Sequence, residues 1–155
     1  MIDQNAEQPK DYAPQKYFVG VYGTLKKGES NHGLLSDSKF IGGGFTLPKF
    51  SLISLGGFPG ILPGDSSVSI EVYKVDEATF KRLDRLEGHP SFYTRKIETV
   101  ILDALTGTIV DVWIYQLAEP KDYKHYDTFI HEVAGHLHWS RFSNEDLRSY
   151  DLPNG

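Results

Sequence analysis

Apolar residues recur at every second position through much of the chain, in short runs rich in β-branched and aromatic residues and closed by glycine, proline or aspartate. YFVGVY (17–22), FSLISL (50–55), VSIEVYKV (68–75), RKIETVIL (95–102) and TIVDVWIYQL (108–117) are predicted strands, and Phe40 to Phe45, running into the glycines at 42–44, is a candidate sixth. The last two flank DALTG, a short hairpin connection with Gly107 placed for a left-handed turn residue. The period changes in VDEATFKRLDRLEGHP. Asp76 is a good N-cap, Glu77 suits the positive helix start, Phe80, Leu83 and Leu86 form an apolar stripe, and Gly88 followed by Pro90 stops the helix, which is predicted over about Glu77 to Leu86.

Elsewhere the signals are weaker. A shorter helix is expected near Asn31 in SNHGLL, and a last one in NEDLRSYDL, capped by Ser143 or Asn144. The first 16 residues are polar, hold two prolines and show no period, so residues 1–16 read as a flexible leader and 17–155 as a single domain with a less regular, divergent part over 118–155. Many strands, few helices and only one strand-helix-strand stretch predict an α+β domain with a strongly curved or closed sheet. A doubly wound fold would alternate more.

Composition narrows the chemistry. A chain of 155 residues is long enough for one core without metals or disulfides, and with no cysteine there is no thiolate nucleophile and no cysteine metal site. A net charge of −5 argues against general affinity for nucleic acid or anionic membrane. No apolar run approaches the roughly 20 residues of a membrane-spanning helix, and the N-terminus lacks a signal peptide's apolar stretch, so a cytoplasmic protein is expected.

Two features carry candidate chemistry. GTLKKGES (23–30) follows a strand and fits the first six positions of a phosphate loop, but Glu29 stands where the phosphate-reaching lysine belongs and would repel a polyphosphate. Alone, the turn reads as a chain reversal with Thr24 and Lys26 solvated; a functional reading needs a catalytic group aimed at the same place. Glu87 is such a group. It follows the last apolar residue of the predicted helix, at the negative end of the macrodipole, where its pKa should rise. The competing reading is a solvated glutamate beside Arg82 and Arg85.

The segments VYGTLKKGESNH (21–32), GFPGILPG (57–64) and LDRLEGHPSFYTR (83–95) together resemble the γ-glutamylcyclotransferase-like superfamily, especially its γ-glutamylamine cyclotransferase and avirulence-induced-gene-like branch, over roughly Tyr17 to Leu117. Residues after about 120 match it poorly. The resemblance implies a small mixed β-barrel of about five to six strands with a few packed helices. It implies cyclisation of a γ-glutamyl amide, a γ-glutamylamine or γ-glutamyl amino acid, to 5-oxoproline with release of the free amine. The backbone of Tyr22, Gly23, Thr24 and Leu25 would then hold the α-amino and carboxylate end of the glutamyl group, Glu87 would be the general acid/base, and Tyr93 would help line the pocket. The expected partner is a small-molecule γ-glutamyl substrate, with no cofactor, no nucleic acid and no membrane. Because the substrate's own amine is the nucleophile, the missing cysteine is no obstacle. Gly23 to Leu25 are candidate oxyanion donors. The alternative is a ligand- or protein-binding module of the same fold with altered or lost activity.

HEVAGH (131–136) approaches a zinc helix, but its histidines lie five residues apart, about 140° around a helix, and cannot share one face. His136 and His138 alternate as on a strand and could bind a metal with His125 or His131, yet scattered exposed histidines are the commoner case. Phe58, Trp113, Tyr115 and Trp139 are candidates for a pocket wall, although aromatics at strand spacing are more often core. Lys26, Lys27 and Lys39 are expected on a solvated rim.

Overall fold

The computed structural model describes residues 16–103, 105–118, 126 and 128–141. The leader, His125 and the predicted last helix with its caps lie outside the described residues, apart from Lys16, which opens the first strand. Strands run in the order β1 (Lys16–Val21), β2 (Lys39–Thr46), β3 (Phe50–Ser54), β4 (Pro59–Pro63), β5 (Ser69–Asp76), β6 (Tyr93–Asp103), β7 (Thr108–Leu117), β8 (Ile130–Val133) and β9 (His136–Trp139). One α-helix, α1 (Glu77–Glu87), lies between β5 and β6, and the turn expected near Asn31 is a 3-10 helix over His32–Leu35.

Five strands close a barrel in the order β1-β5-β2-β6-β7. Its pairs are antiparallel except at the seam, where β1 runs parallel to β7 with Val19 opposite Trp113 and Gly20 opposite Ile114. The mixed barrel expected from the sequence is present, with one exchange of strands. The glycine-rich candidate became β2, a barrel member, whereas FSLISL became β3 and pairs with β4 in a separate hairpin. GFPGILPG gave little strand signal because two prolines and a glycine interrupt it. Pro59 and Pro63 are the first and last residues of β4, where a missing N–H disturbs the ladder least.

Alternation along each strand feeds two cores. On β5, Ile70 and Val72 join Val100, Val112, Ile114 and Trp139, while Tyr73 and Val75 join Val19, Leu35, Phe80, Leu83 and Tyr115 around α1. The helix forms as its sequence requires. The Asp76 carboxylate accepts the Thr79 amide at 2.8 Å, Phe80 and Leu83 are buried, and Gly88 caps the end with φ of 66°. Leu86 departs from the expected stripe: it is 42% exposed, because the helix turns its last residues away from the core toward a pocket. The β6–β7 connection has Gly107 at φ 75°, as the left-handed turn position required.

The part read as irregular after Pro120 contains the β8–β9 hairpin, reversed at Ala134 and Gly135 with φ of 54° and 85°. HEVAGH is therefore strand, turn and strand. Trp139 belongs to the core rather than to a pocket wall: it is fully buried, and its indole N–H donates to Ser54 Oγ at 3.2 Å. Among the described residues no helix is long and apolar enough to cross a membrane.

Candidate active site

Three segments meet at one end of the barrel: the turn after β1, the last turn of α1, and the start of β6 beside the loop leading into β4. They enclose a cavity of about 300 Å³, at the small end of the range for ligand sites. Tyr22, Gly23, Thr24, Leu25, Glu87 and Tyr93, all the site residues expected from the sequence, line it.

The turn is tied down through its carbonyls. Lys26 N–H donates to the Gly23 carbonyl at 3.0 Å, and Asn31 N–H to that of Thr24 at 2.8 Å. The His32 ring pairs with the carbonyl of Leu25 at 2.9 Å. Asn31 Nδ2 also donates to Thr24 Oγ1 at 3.0 Å, and Lys27 N–H donates to Glu71 Oε1 at 2.9 Å. The amides of Gly23, Thr24 and Leu25, by contrast, donate to no acceptor among the described residues. Successive amides without an acceptor among the described residues, on residues that line a cavity, are candidate donors for an anionic group of a ligand. Gly23 is required by close approach, since a Cβ there would stand 2.6 Å from Pro59 Cγ.

The two tyrosines hold the walls in place. Tyr22 donates its hydroxyl to the Tyr115 carbonyl at 2.7 Å, and Tyr93 donates its own to the Pro59 carbonyl. Burial, followed by the neighbouring Tyr93 and Glu87, pushes the Tyr22 phenol well above its usual pKa, so it stays neutral.

Among the described residues Glu87 is the only charged side chain on the cavity wall. Its carboxyl makes no hydrogen bond or ion pair with any described residue, and burial raises its pKa to about 7. The expected upward shift is present, but burial is its cause rather than the helix terminus. Arg82 and Arg85, the neighbours of the solvated reading, do not line the cavity, and Arg82 donates to Thr79 Oγ1 instead. A partnerless carboxyl that can hold or release a proton near neutrality suits general acid/base work.

Several contributors were not singled out in the sequence. Ser30, Asn31, Pro59, Leu86 and Phe92 also belong to the lining. Behind it, Asp84 accepts the Tyr115 hydroxyl at 2.6 Å and a two-pronged ion pair from Arg95, at 2.8 and 3.1 Å. The Arg95 guanidinium is also sandwiched between the rings of Phe80 and Trp113, 4.2 and 4.7 Å from their centroids. Asp84 lies three residues before Glu87, on the same helix face, and that spacing was the available signal.

Other expectations are redirected. Of the aromatics flagged for a wall, Tyr115 and Phe58 are on it, while Trp113 packs on the core and on Arg95. Glu29 is not on the lining: its buried carboxylate accepts the Ser140 hydroxyl at 3.2 Å and lies 3.8 Å from Arg141 Nε. Lys26 is buried rather than on a solvated rim, because the turn folds it inward, while Lys27 and Lys39 are exposed. His131 and His138 face each other across the β8–β9 hairpin, and burial first, then the charges of Lys26, His136 and His131, lower the His138 pKa to about 4. Among the described residues no group of three or more histidine, aspartate or glutamate side chains is placed to hold a metal.

Known proteins resemble this chain in sequence and in fold. A gamma-glutamylcyclotransferase of Methanocaldococcus jannaschii, a name given provisionally, is 42% identical over 119 residues, covering 70% of this chain and 97% of the relative. A gamma-glutamylcyclotransferase family protein of Escherichia coli is 30% identical over 104 residues, covering 67% and 85%. The crystal structure of an AIG2-like protein from mouse superposes with a TM-score of 0.64 at 28% identity, covering 84% of this chain and 99% of the mouse chain. Residues 19–139 match the sequence model of the family described as gamma-glutamyl cyclotransferase, AIG2-like, so the match continues past Leu117 through the β8–β9 hairpin. The chain belongs to the gamma-glutamyl cyclotransferase, AIG2-like family.

Proposed function

We propose that the cavity binds a γ-glutamyl amide and cyclises it to 5-oxoproline, releasing the free amine. The observation that carries this reading is the pairing of Glu87, a partnerless carboxyl with a pKa near 7, with the unspent amides of Gly23 to Leu25 on the same cavity.

The steps follow from those two groups. The ionised Glu87 carboxylate takes a proton from the substrate's α-ammonium, freeing the amine lone pair. The amine attacks the γ-carbonyl carbon of the same molecule, and the carbonyl electrons move onto oxygen. Holding the glutamyl chain bent supplies a large effective molarity, so no enzyme nucleophile is needed. The resulting oxyanion is met by amides already fixed by their turn, which need no reorganisation as charge develops. Glu87 returns its proton to the leaving nitrogen, the carbon–nitrogen bond breaks, and carboxylate, lactam and free amine result. Tyr22 and Tyr93 act through position, since each commits its hydroxyl proton to a backbone carbonyl.

Product identity tests the reading. Incubation with a γ-glutamyl amide should yield 5-oxoproline and amine in equal amounts. Free glutamate instead of 5-oxoproline would mean that water is the nucleophile, and cyclisation would be the wrong reaction.

A further inference from the structure

Asn31 holds Thr24 in two places. Its main-chain N–H donates to the Thr24 carbonyl at 2.8 Å, and its side-chain Nδ2 donates to Thr24 Oγ1 at 3.0 Å. The second bond is not the one its position calls for. Asn31 is the N-cap of the 3-10 helix over His32–Leu35, where an asparagine oxygen ordinarily accepts a main-chain N–H of the first turn, yet its side chain makes no capping bond. It reaches seven residues back instead, to a hydroxyl of the cavity wall.

That bond sets the sense of the Thr24 hydroxyl. A threonine oxygen has lone pairs that accept and a single proton that donates, so an oxygen filled by an incoming N–H sends its proton elsewhere and, polarised by the bond, gives it more readily. The lining carries hydroxyls on Tyr22, Thr24, Ser30, Tyr93 and Tyr115. The three tyrosines donate theirs to the Tyr115 carbonyl, the Pro59 carbonyl and the Asp84 carboxylate respectively. Ser30 is exposed, and among the described residues nothing bonds its hydroxyl or sets its direction. The Thr24 hydroxyl is partly buried, is held by a donor, and gives its proton to no acceptor among the described residues. Thr24 also carries the middle one of the three amides, Gly23 to Leu25, that stand in the same position.

We propose that Asn31 is a positioning residue for the cyclisation: by holding Thr24 Oγ1 as an acceptor it leaves the hydroxyl proton to the cavity, where it joins the turn amides on the oxyanion that forms as the substrate amine attacks. The proposal rests on the cyclotransferase reading of the same cavity. The hydroxyl transfers no proton. It stays a hydrogen-bond donor, oriented before charge develops, while Glu87 carries the proton from the amine to the leaving nitrogen.

The test is a double-mutant cycle on 5-oxoproline release from γ-glutamyl-butylamide, with kcat and KM determined separately and folding followed by thermal unfolding. Thr24→Val removes the hydroxyl at nearly constant volume and should lower kcat by about tenfold or more with KM within about threefold, as for a donor that acts in the transition state. Thr24→Ser keeps the hydroxyl and should stay within about threefold of the original kcat. Asn31→Ala keeps the main-chain bond to the Thr24 carbonyl and should lower kcat by about fivefold or more, but by less than about twofold when added to Thr24→Val. Asn31→Asp has nearly the same shape, but its ionised carboxylate can only accept from the hydroxyl; it should draw the proton from the cavity and lower kcat as far as Thr24→Val does. It also carries the test if Asn31→Ala does not fold. An Asn31→Asp protein within about threefold of the original kcat, or an Asn31→Ala loss of equal size with and without the Thr24 hydroxyl, would overturn the role of Asn31 and leave cyclisation standing. So would a rise in KM with unchanged kcat in Thr24→Val, since the hydroxyl would then meet a group that does not react. Absence of 5-oxoproline from the unaltered protein would overturn cyclisation itself, and the role of Asn31 with it.

Discussion

Asp84 and Tyr115 are joined by a 2.6 Å hydrogen bond from the phenol to the carboxylate, and that bond ties the helix bearing Glu87 to the strand that closes the cavity. Arg95 completes the tie from β6, and the Tyr115 carbonyl passes it on to Tyr22. Three walls of the site are thereby referenced to one carboxylate. Asp84→Ala would leave the Arg95 guanidinium half-buried between Phe80 and Trp113 without its anion, and should cost about 2–4 kcal/mol by denaturant unfolding. Tyr115→Phe keeps the ion pair and should cost only about 1 kcal/mol. Although burial opposes it, the bonds from Arg95 and Tyr115 leave the Asp84 pKa below its ordinary value. Its contribution is present above that value and is lost as pH falls through the depressed one, so the destabilisation by Asp84→Ala should shrink in acid.

Glu87 has the opposite sign. Its folded pKa of about 7 stands above the ordinary 4.5, so between those values the folded protein holds a proton that the unfolded chain has released. Stability should fall as pH rises across that window, with the full cost present above it. Glu87→Gln removes the cost, and after allowance for the partial exposure of the carboxyl it should stabilise the protein by about 1–3 kcal/mol at pH 8 and by nothing below pH 4. Thermal unfolding across pH measures this directly. No gain at pH 8 would mean that the carboxyl is not held at a cost.

Gly23→Ala would set a methyl group 2.6 Å from the Pro59 ring, whose carbonyl also receives Tyr93. The ring cannot swing aside as a long side chain would, so the turn must move. A stability loss of about 1–3 kcal/mol is expected, together with at least a tenfold fall in kcat/KM as the amides lose their aim. Normal kinetics would show that the amides of this turn do not serve the reaction.

Glu29→Ala separates the turn's two sides. It removes the acceptor for Ser140 and the neighbour of Arg141, and should cost about 1–2 kcal/mol while leaving kcat within about threefold. Hydrogen exchange should quicken in the β8–β9 hairpin rather than around α1.

Legibility in the sequence followed locality. The helix from Asp76 to Gly88 was readable because cap, stripe and stop are all local, and the barrel strands β5, β6 and β7 because apolar residues alternate along their lengths. The β3–β4 hairpin was half hidden, since the prolines that bound β4 read as breakers until Phe50 and Ser54 are seen opposite them. The β8–β9 hairpin was hidden altogether; the burial of Trp139 depends on Ser54, 85 residues away. In the site, Glu87 stood out as a carboxylate in an unusual place, and the family resemblance pointed to the turn and Tyr93. Its bond to Pro59, the clamp of Asp84, Tyr115 and Arg95, and the inward turn of Lys26 are tertiary, and no local pattern encodes them. Glu29 looked out of place as a failed phosphate-loop lysine, and its buried position against Ser140 and Arg141 supplies the reason a carboxylate stands there.

The central claim is that Glu87 moves the proton in an intramolecular cyclisation. It is tested most directly by the rate of 5-oxoproline release from γ-glutamyl-butylamide by the unaltered protein and by Glu87→Gln, with folding of both checked by thermal unfolding. Loss of general acid/base action should lower the rate by about 10²–10⁴-fold in a protein at least as stable as the original, and the original's kcat/KM should rise with pH through about 7 as the carboxyl ionises. A folded Glu87→Gln protein releasing 5-oxoproline within tenfold of the original rate would contradict it.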